Sequence, residues 1–338
     1  MKRFFFPITI LIIATVISCA EAPEPEITWD IHGHEIRWVY SEQYGAVNQA
    51  DKKLAQSSDF SNRVEETLKR KIETVLTQGS NSVIAKINNS DTGELVDAGD
   101  AFEEIRGLLG YSNECFGAFD PTLQILWDVY EFESGGRYVS DDELADALRW
   151  VNYRMIEIEG TSVIRKGDFT RIGFGPTISG LIVDSAISLL KNEGASGGVV
   201  ISDYCYTALD DGHTYDFMYP LKKSGDEQLQ MNYGHFKLEP GQFVAAFDDS
   251  LKGFFAHGKY FHMVLSPLDG RPVQSVRAVV VVSNESCLQA TVFAYAVMVM
   301  GENRGIEFLN ETDGVEGIIL TADHDVIVSG GLGDRFWR

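Results

Sequence analysis

The segment at residues 171–184, RIGFGPTISGLIVD, constrains the fold of this chain more than any other stretch. Its pattern predicts a strand that runs into a glycine-rich turn and then into a helix over residues 176–192. Such a turn presents backbone N–H groups and the positive end of a helix to an anionic ligand such as a phosphate. We therefore expect a fold of helices and strands with a ligand site close to this turn.

The rest of the chain alternates helical spacing with short apolar runs. Further helices are expected at residues 59–76, from residue 100, at 141–150 with Ser140 as its cap, and at 285–300. Strands are expected at residues 155–158, 162–165, 198–202, 243–247, 262–265, 278–282, 317–320 and 325–329. Several of these strands are close neighbours, which favours an α+β fold over regular βαβ units. The sequence contains neither a Walker A motif nor GxGxxG.

The amino terminus has the pattern of a bacterial lipoprotein signal. Basic residues at positions 2 and 3 precede an apolar run over residues 4–16, and a short stretch then leads to Cys19. The run is shorter than the about 20 apolar residues that an ordinary spanning helix needs. We expect a signal peptide at 1–18, lipidation of Cys19, an acidic tether at 19–30 and a folded domain at 31–338. The protein would then be anchored in the bacterial cell envelope and face the periplasm or the exterior.

Composition and charge limit the class of partner. The chain has 338 residues, of which 44% are hydrophobic, so it can bury a substantial core. Its formal net charge of −22 argues against nucleic acid as a partner, because nucleic acids are bound mainly through Lys and Arg. Besides Cys19, the cysteines are Cys115, Cys205 and Cys287, an odd number without CxxC spacing. We expect neither a zinc site nor a disulfide framework, and one bridge stays open.

Further motifs stand in a fixed order along the chain. They are a Ser-rich turn at residues 80–88 that closes on Asn88, Phe-Asp-Pro-Thr at 119–122 ahead of Leu126 and Trp127, and His262 ahead of Pro267, Gly270, Arg271 and Pro272. Together with residues 171–184, this ordered set resembles the FAD:protein FMN transferase (ApbE-type) family. The resemblance runs from about Ser80 to Gly301.

The resemblance implies the flavin-transferase fold, α+β with mixed sheets and flanking helices. It also implies the family reaction, a magnesium-dependent transfer of FMN from FAD to a Thr or Ser of an acceptor protein. The residues that match the family's cofactor-binding positions are Asp120, Gly175, Gly180, Asp203 and His262. From the residues alone, Asp120 is equally compatible with a turn or cap, and His262 with a histidine of the core.

The chain departs from the family where the chemistry takes place. Gly173 stands at the family's acidic position, and Ser179 stands at its lysine position. Thr291 and Tyr295 stand where an Asp and a Thr of the family hold magnesium. The oxygens left for a metal are the backbone carbonyl of Pro176 and the hydroxyl of Thr291. Because magnesium prefers charged oxygens, we expect weak or absent magnesium binding.

Three functions are compatible with this pattern. In the interpretation that we favour, transfer activity is lost or weakened while FAD or another flavin nucleotide still binds. In the second, the enzyme works with metal ligands repositioned to Asp203, Asp248 or Asp249. In the third, the fold serves as a non-catalytic interaction module for a partner protein of the envelope. Flavin carried by the purified protein would favour the first two.

Overall fold

The structure is a computed structural model that describes residues 26–40, 47–210, 213–221, 229–239 and 241–338. The expected signal peptide, Cys19 and most of the expected tether lie outside the described residues. The helices are α1 (Gln49–Ala55), α2 (Ser58–Glu73), α3 (Val83–Asn89), α4 (Phe102–Glu114), α5 (Gln124–Tyr130), α6 (Asp141–Leu148), α7 (Ile178–Asn192), α8 (Cys287–Glu311) and α9 (Gly330–Gly333).

The strands are β1 (Glu26–Ile31), β2 (His34–Val39), β3 (Leu95–Asp97), β4 (Ile156–Glu159), β5 (Ser162–Arg165), β6 (Val199–Ser202), β7 (Cys205–Ala208), β8 (Thr214–Leu221), β9 (Leu229–Lys237), β10 (Phe243–Asp248), β11 (Gly253–Ala256), β12 (Lys259–His262), β13 (Val276–Ser283), β14 (Val315–Thr321), β15 (Val326–Val328) and β16 (Phe336–Trp337).

One large sheet organises the molecule. Its strand order is β1-β2-β6-β7-β10-β13-β14-β15, and the strand pairs within it are antiparallel. The central strand β13, VRAVVVVS, is apolar at consecutive positions rather than at alternate ones. Such a run requires burial on both faces of the sheet.

The two faces of this sheet are covered differently. Val279 and Val281 point into a core shared with α2, α7 and α8. Val280 and Val282 point into a second core, which Phe217 of β8 helps to build. Strands β16, β9 and β8 form the three-stranded sheet on that side. The motif residues of α7 and α8 lie on the helical side, because both helices pack against that core.

Most expected elements are present in the structure. Strand β5 has the expected bounds, and α6 begins at Asp141 with a capping box formed by Ser140 and Glu143. The expected strand at 262–265 was wrong, because β12 ends at His262 and only Leu265 bridges to Pro272 beyond it. The expected helix at 285–300 is the first part of α8, which begins at Cys287; Gly301 (φ 77°, ψ −179°) follows it, and helical structure then continues to the end of α8.

The α+β class is confirmed, with two differences in detail. The strands that we expected in mixed sheets pair antiparallel throughout the described part of the chain. Strand β1 lies largely within the segment expected to be a tether, so the sheet begins at Glu26. None of the helices in the described residues combines the length and the apolar character that a membrane span requires.

Candidate functional site

The glycine-rich turn is held by an amide side chain rather than by a neighbouring strand. Asn88 donates from Nδ2 to the carbonyl of Ile172 and accepts from its N–H at Oδ1, both at 2.8 Å. The N–H of Gly173 donates to the carbonyl of Pro121 at 3.1 Å. The strand expected ahead of the turn is therefore wrong: residues 171–174 belong to no strand. Asn88, which closes the Ser-rich motif, supplies the hydrogen bonds that a partner strand would supply.

At two positions of this turn, a neighbouring side chain fills the space that a Cβ atom would occupy. A Cβ atom on Gly173 would lie 2.0 Å from Oε1 of Gln124. Gly175 has a φ of +50°, and a Cβ there would lie 2.2 Å from the ring of Trp127. The space that an acidic side chain at position 173 would occupy is thus filled by Gln124.

A cavity of about 340 Å³ opens beside the start of the turn. It is lined by Asn88, Ile125, Asp128, Val129, Asp168, Phe169, Thr170 and Arg171. Nε of Arg171 lies 3.1 Å from Oδ2 of Asp128, and the guanidinium is partly exposed. Phe169 is 64% exposed and meets the ring of Trp150 edge to face at 5.2 Å. An exposed aromatic face beside a guanidinium and polar oxygens suits a planar ring that carries an anionic group.

The carboxyl of Asp128 shapes the charge of this cavity. Burial raises the pKa of Asp128, while a hydrogen bond from Gln124 and the charge of Arg171 oppose that rise. The Gln124 Nε2 to Asp128 Oδ1 distance is 2.7 Å. Arg171 is therefore partly neutralised, and an anionic ligand would compete with Asp128 for it.

The two positions compared with metal ligands in the sequence analysis carry hydroxyls that already have partners. Thr291 donates from Oγ1 to the carbonyl of Leu288 at 2.9 Å and lies 3.4 Å from that of Thr177. Tyr295 donates to the carbonyl of Leu265 at 2.8 Å and accepts from its N–H at 2.7 Å. The Tyr295 ring is fully buried and packs edge to face against Phe119 at 5.2 Å.

Ser179, at the position where the resemblance implies a lysine, is enclosed by its neighbours in the same way. Ser179 is buried, donates from Oγ to the carbonyl of Pro176 at 3.2 Å, and lies 3.5 Å from Sγ of Cys205. The Pro176 carbonyl, which we expected to face a metal, therefore accepts an internal hydrogen bond. Magnesium demands charged oxygens in near-octahedral geometry. Neutral hydroxyls and carbonyls that bond one another do not fit that ion.

The carboxylates considered as substitute ligands are also engaged. Asp203, in the β6–β7 turn at a φ of 35°, contacts Nδ1 of His34 through Oδ2 at 2.6 Å. Asp248 accepts from the N–H and the hydroxyl of Ser250 at 2.7 and 2.6 Å. Asp249 pairs with Arg277 at 3.1 Å. Across the described ranges, no group of three or more His, Cys, Asp and Glu side chains is placed to hold a metal ion.

The remaining expected site residues have structural partners. Asp120 is buried and accepts from the N–H and hydroxyl of Thr122 at 2.8 and 2.5 Å and from the N–H of Tyr153 at 2.9 Å, so it caps a turn. His262 is buried, with Nε2 at 2.8 Å from the Val273 carbonyl. Its Nδ1 accepts from the N–H of Val264 at 3.3 Å.

Gly180 lies where α7 and the start of α8 approach each other closely. A Cβ at this position would lie 2.5 Å from the backbone carbonyl of Cys287 at the start of α8. Cys115, Cys205 and Cys287 are all buried and free in the described chain.

The expected cofactor residues lie outside the 340 Å³ cavity. None of Asp120, Gly175, Gly180, Asp203 and His262 lines the 340 Å³ cavity. Sequence reasoning missed Asp128, directly after the motif residue Trp127, and Phe169, two residues before the glycine-rich segment, because neither residue belongs to a motif itself. Asn88 and Arg171 were visible as the end of one motif and the start of another, and the fold brings those two ends together.

Comparisons with known proteins agree with the earlier resemblance. The model of the ApbE family matches residues 35–319. An FAD:protein FMN transferase of Vibrio cholerae is 21% identical over 302 residues, which cover 87% of this chain and 88% of that protein. The crystal structure of an ApbE protein from Thermotoga maritima has a TM-score of 0.76 at 20% identity, covering 93% of this chain and 99% of that one. The apo flavinyl transferase ApbE of Pseudomonas stutzeri has a TM-score of 0.70 at 20% identity, covering 92% and 96%.

Proposed function

Since the chain belongs to the ApbE family, we propose that it is a flavin-nucleotide-binding protein of the cell envelope in which magnesium-dependent transfer of FMN is lost or weakened. The observation that carries the proposal is the Tyr295 hydroxyl. It exchanges two hydrogen bonds with the backbone of Leu265 at the position of a family metal ligand. A metal ion could enter only if that pair of buried bonds were broken.

The missing charges would slow phosphoryl transfer. Such reactions depend on cations that neutralise the phosphates and on a positioned nucleophile. Loss of a single hydrogen-bond donor that stabilises a transition state costs about 3 to 4 kcal/mol. Here Ser179 replaces a lysine, and Thr291 and Tyr295 replace both side-chain metal ligands. The combined loss is large enough to suppress ordinary turnover.

The cavity beside Arg171 supports retained nucleotide binding. Its volume of about 340 Å³ lies near the lower end of the about 300 to 1,000 Å³ of small-molecule sites. It would hold one ring system of a dinucleotide, with the other part of the ligand lying over the surface. Phe169 would stack on that ring, and Arg171 would attract a phosphate.

Binding is tested by titrating the purified protein with FAD and following the quenching of flavin fluorescence. We expect saturable binding that does not require magnesium. Arg171→Gln should weaken it about tenfold, the typical effect of losing one charge-assisted hydrogen bond. Arg149→Gln removes an arginine that is 72% exposed and lies outside the cavity, so it serves as the matched control. Equal affinity in Arg171→Gln and Arg149→Gln would move the nucleotide away from this cavity.

Transfer is tested with FAD, magnesium and a Thr-containing acceptor protein, with the Vibrio cholerae transferase as the positive control. We expect neither AMP release nor covalent flavin on the acceptor at rates near that of the control. Rates close to the control would overturn the proposal and favour repositioned metal ligands. Absence of FAD binding together with absence of transfer would instead favour the alternative, a non-catalytic interaction module on the same fold.

The location at the envelope follows from the sequence pattern that ends at Cys19. Mass spectrometry of the membrane fraction should find an acylated Cys19 at the new amino terminus. Cys19→Ser should release the protein from the membrane. An intact Met1 terminus on the wild-type protein would contradict the anchor.

A further inference from the structure

A second cavity, of about 220 Å³, shares no lining residue with the first, and its Arg271 and Pro272 belong to the motif that begins at His262. The β11–β12 hairpin forms one side, and the segment ahead of β13 forms another. The lining residues are Tyr138, His257, Lys259, Tyr260, Phe261, Arg271, Pro272 and Gln274. This volume falls below the about 300 to 1,000 Å³ of sites for drug-sized ligands. The cavity therefore suits a ligand with one ring rather than a dinucleotide.

The charge of this cavity is opposite to that of the protein. The chain carries a net charge of −22, yet the lining includes Lys259 and Arg271 and no carboxylate. One amino group of Arg271 contacts Asp141, which leaves the other N–H groups of the guanidinium available. No carboxylate lies within ion-pair distance of Lys259 in the part of the chain that the structure describes. Two cations that line one cavity of a strongly acidic protein favour an anionic ligand.

Aromatic rings form the apolar part of the wall. Tyr138 is 43% exposed, and its ring meets Phe261 at 5.9 Å and 89°. On its other side, Tyr138 meets the imidazole of His257 at 4.6 Å and 78°. His257 has a φ of 50° and lies in the turn of the β11–β12 hairpin, and Lys259, which follows that turn, also lines the cavity. A planar ring can therefore pack against Tyr138 while its anionic group meets the cations.

A buried hydroxyl directly behind this wall lacks a hydrogen-bond partner. Tyr130 is fully buried, and its hydroxyl has no partner within the described residues. Its neighbours include three residues of the cavity wall: its ring is 6.3 Å from that of Phe261, and the charge of Arg271 and the hydroxyl of Tyr138 act on its phenol. Burial raises the pKa of Tyr130 to about 12, so the phenol stays a neutral donor. An unpaired buried hydroxyl destabilises a fold and requires an explanation.

We propose that this cavity binds a small aromatic anion, with its carboxylate or phosphate on Lys259 and Arg271 and its ring against Tyr138 and Phe261. The cations select for charge, and the aromatic wall selects for a flat ring. The volume of the cavity limits the ligand to a single ring. The site is independent of the proposed flavin cavity, because the two share no lining residue.

The probes are benzoate, phenyl phosphate and the neutral benzyl alcohol, titrated into the full-length protein by calorimetry. We expect saturable one-to-one binding of at least one anion, and the comparison of the two separates a carboxylate site from a phosphate site. Benzyl alcohol should bind at least about tenfold more weakly, because it forms no charge-assisted bond. Lys259→Gln and Arg271→Gln should each weaken the anion about tenfold.

Two control variants separate this site from its surroundings. Lys252→Gln removes a neighbouring lysine that pairs with Glu133 at 2.6 Å and does not line the cavity. Arg171→Gln alters the proposed flavin cavity only. Both should bind the anion like the wild type. Failure of FAD to bind would not affect this result, so the two proposals stand or fall separately.

Tyr130→Phe tests the buried hydroxyl behind the wall. Removing an unpaired hydroxyl should raise the melting temperature of the free protein, and the affinity for the anion should stay unchanged because Tyr130 does not line the cavity. A lower melting temperature would show that this hydroxyl has a structural partner. The proposal as a whole is overturned if neither anion binds saturably, or if binding persists in the double variant Lys259→Gln/Arg271→Gln.

Discussion

At the scale of single residues, buried polar groups join segments that are far apart in the chain. Asp184 of α7 accepts hydrogen bonds from the N–H groups of Cys287 and Leu288 at 2.8 and 2.9 Å. These are two of the N–H groups at the start of α8 that have no partner within the helix. Burial raises the pKa of Asp184 to about 6, against the opposing effect of these two bonds.

This pKa makes stability depend on pH in a defined direction. The pKa of Asp184 is higher in the folded than in the unfolded protein, so its stabilising effect is complete below about pH 4 and is lost as the pH rises to about 6. A shift of about two pKa units corresponds to about 3 kcal/mol. Urea unfolding of wild type and Asp184→Asn should show their difference in stability falling by up to this amount over that range.

The contrary outcome is a difference that stays constant between pH 4 and 6. Asp142→Asn, at an exposed position on α6, removes the same charge and controls for the change in net charge.

Tyr295 is held by two buried hydrogen bonds to the backbone of Leu265. Tyr295→Phe would leave the buried N–H and carbonyl of Leu265 without their partner. Each unsatisfied buried group costs about 1 to 3 kcal/mol, so we expect a loss of about 2 to 4 kcal/mol in the free energy of unfolding. Denaturant titration measures it.

A second tyrosine provides the comparison. Tyr153→Phe removes a hydroxyl that bonds Asn113 at 3.3 Å on the surface, and such surface changes stay within about 0.5 kcal/mol. If Tyr295→Phe were equally mild, the Leu265 contacts would not hold the site closed.

At the scale of elements, the site depends on how closely α7 approaches the start of α8. Gly180→Ala would place a methyl group 2.5 Å from the backbone carbonyl of Cys287 and 2.6 Å from Oγ1 of Thr291. Forcing the two helices apart should cost about 1 to 3 kcal/mol of stability. Thermal melts of the variant and the wild type give the measurement.

The matched control for Gly180→Ala is a glycine-to-alanine substitution in α4. Gly110 is exposed in that helix, and a Cβ there would meet nothing within 4 Å. Gly110→Ala should stabilise the protein by about 0.5 to 1 kcal/mol, because alanine loses less backbone freedom in a helix. Opposite signs for the two variants would establish the close contact, and a stabilising Gly180→Ala would refute it.

At the scale of the whole molecule, the fold begins before the segment that the family model covers. The match starts at residue 35, whereas β1 pairs with β2 from Glu26. Trp29 and Ile31 of β1 are buried in the helical core, and Nε1 of Trp29 donates to Oγ of Ser61 in α2 at 3.0 Å.

Two truncations locate the true start of the folded domain. A chain that begins at Glu26 should melt like the full-length protein. A chain that begins at His34 should lose about 3 kcal/mol or more, since burial of one large apolar side chain contributes about 1.5 to 3 kcal/mol. Equal stability of the two truncations would show that β1 is dispensable and that the domain starts near residue 31, as expected from the sequence.

Local patterns determined much of this protein before its structure was known. The short apolar pair in β5, the capping box at Ser140 and Glu143 and the apolar run of β13 depend on residues close in sequence. Their physical causes, side-chain periodicity and satisfaction of the first helical N–H groups, act over a few residues. The same locality explains why the order of the motifs was enough to recognise the family.

The tertiary structure alone decided what those motifs do. The pair His34 and Asp203 spans 169 residues, Asp184 reaches α8 across 103, and the phenol of Tyr295 meets Leu265 across 30. A single sequence shows which residues stand at positions 291 and 295 but not that their hydroxyls are hydrogen-bonded, because buried polar groups take whichever partner the fold brings near. The buried contacts of Thr291 and Tyr295 and both cavities are therefore properties of packing, and only the three-dimensional structure reveals them.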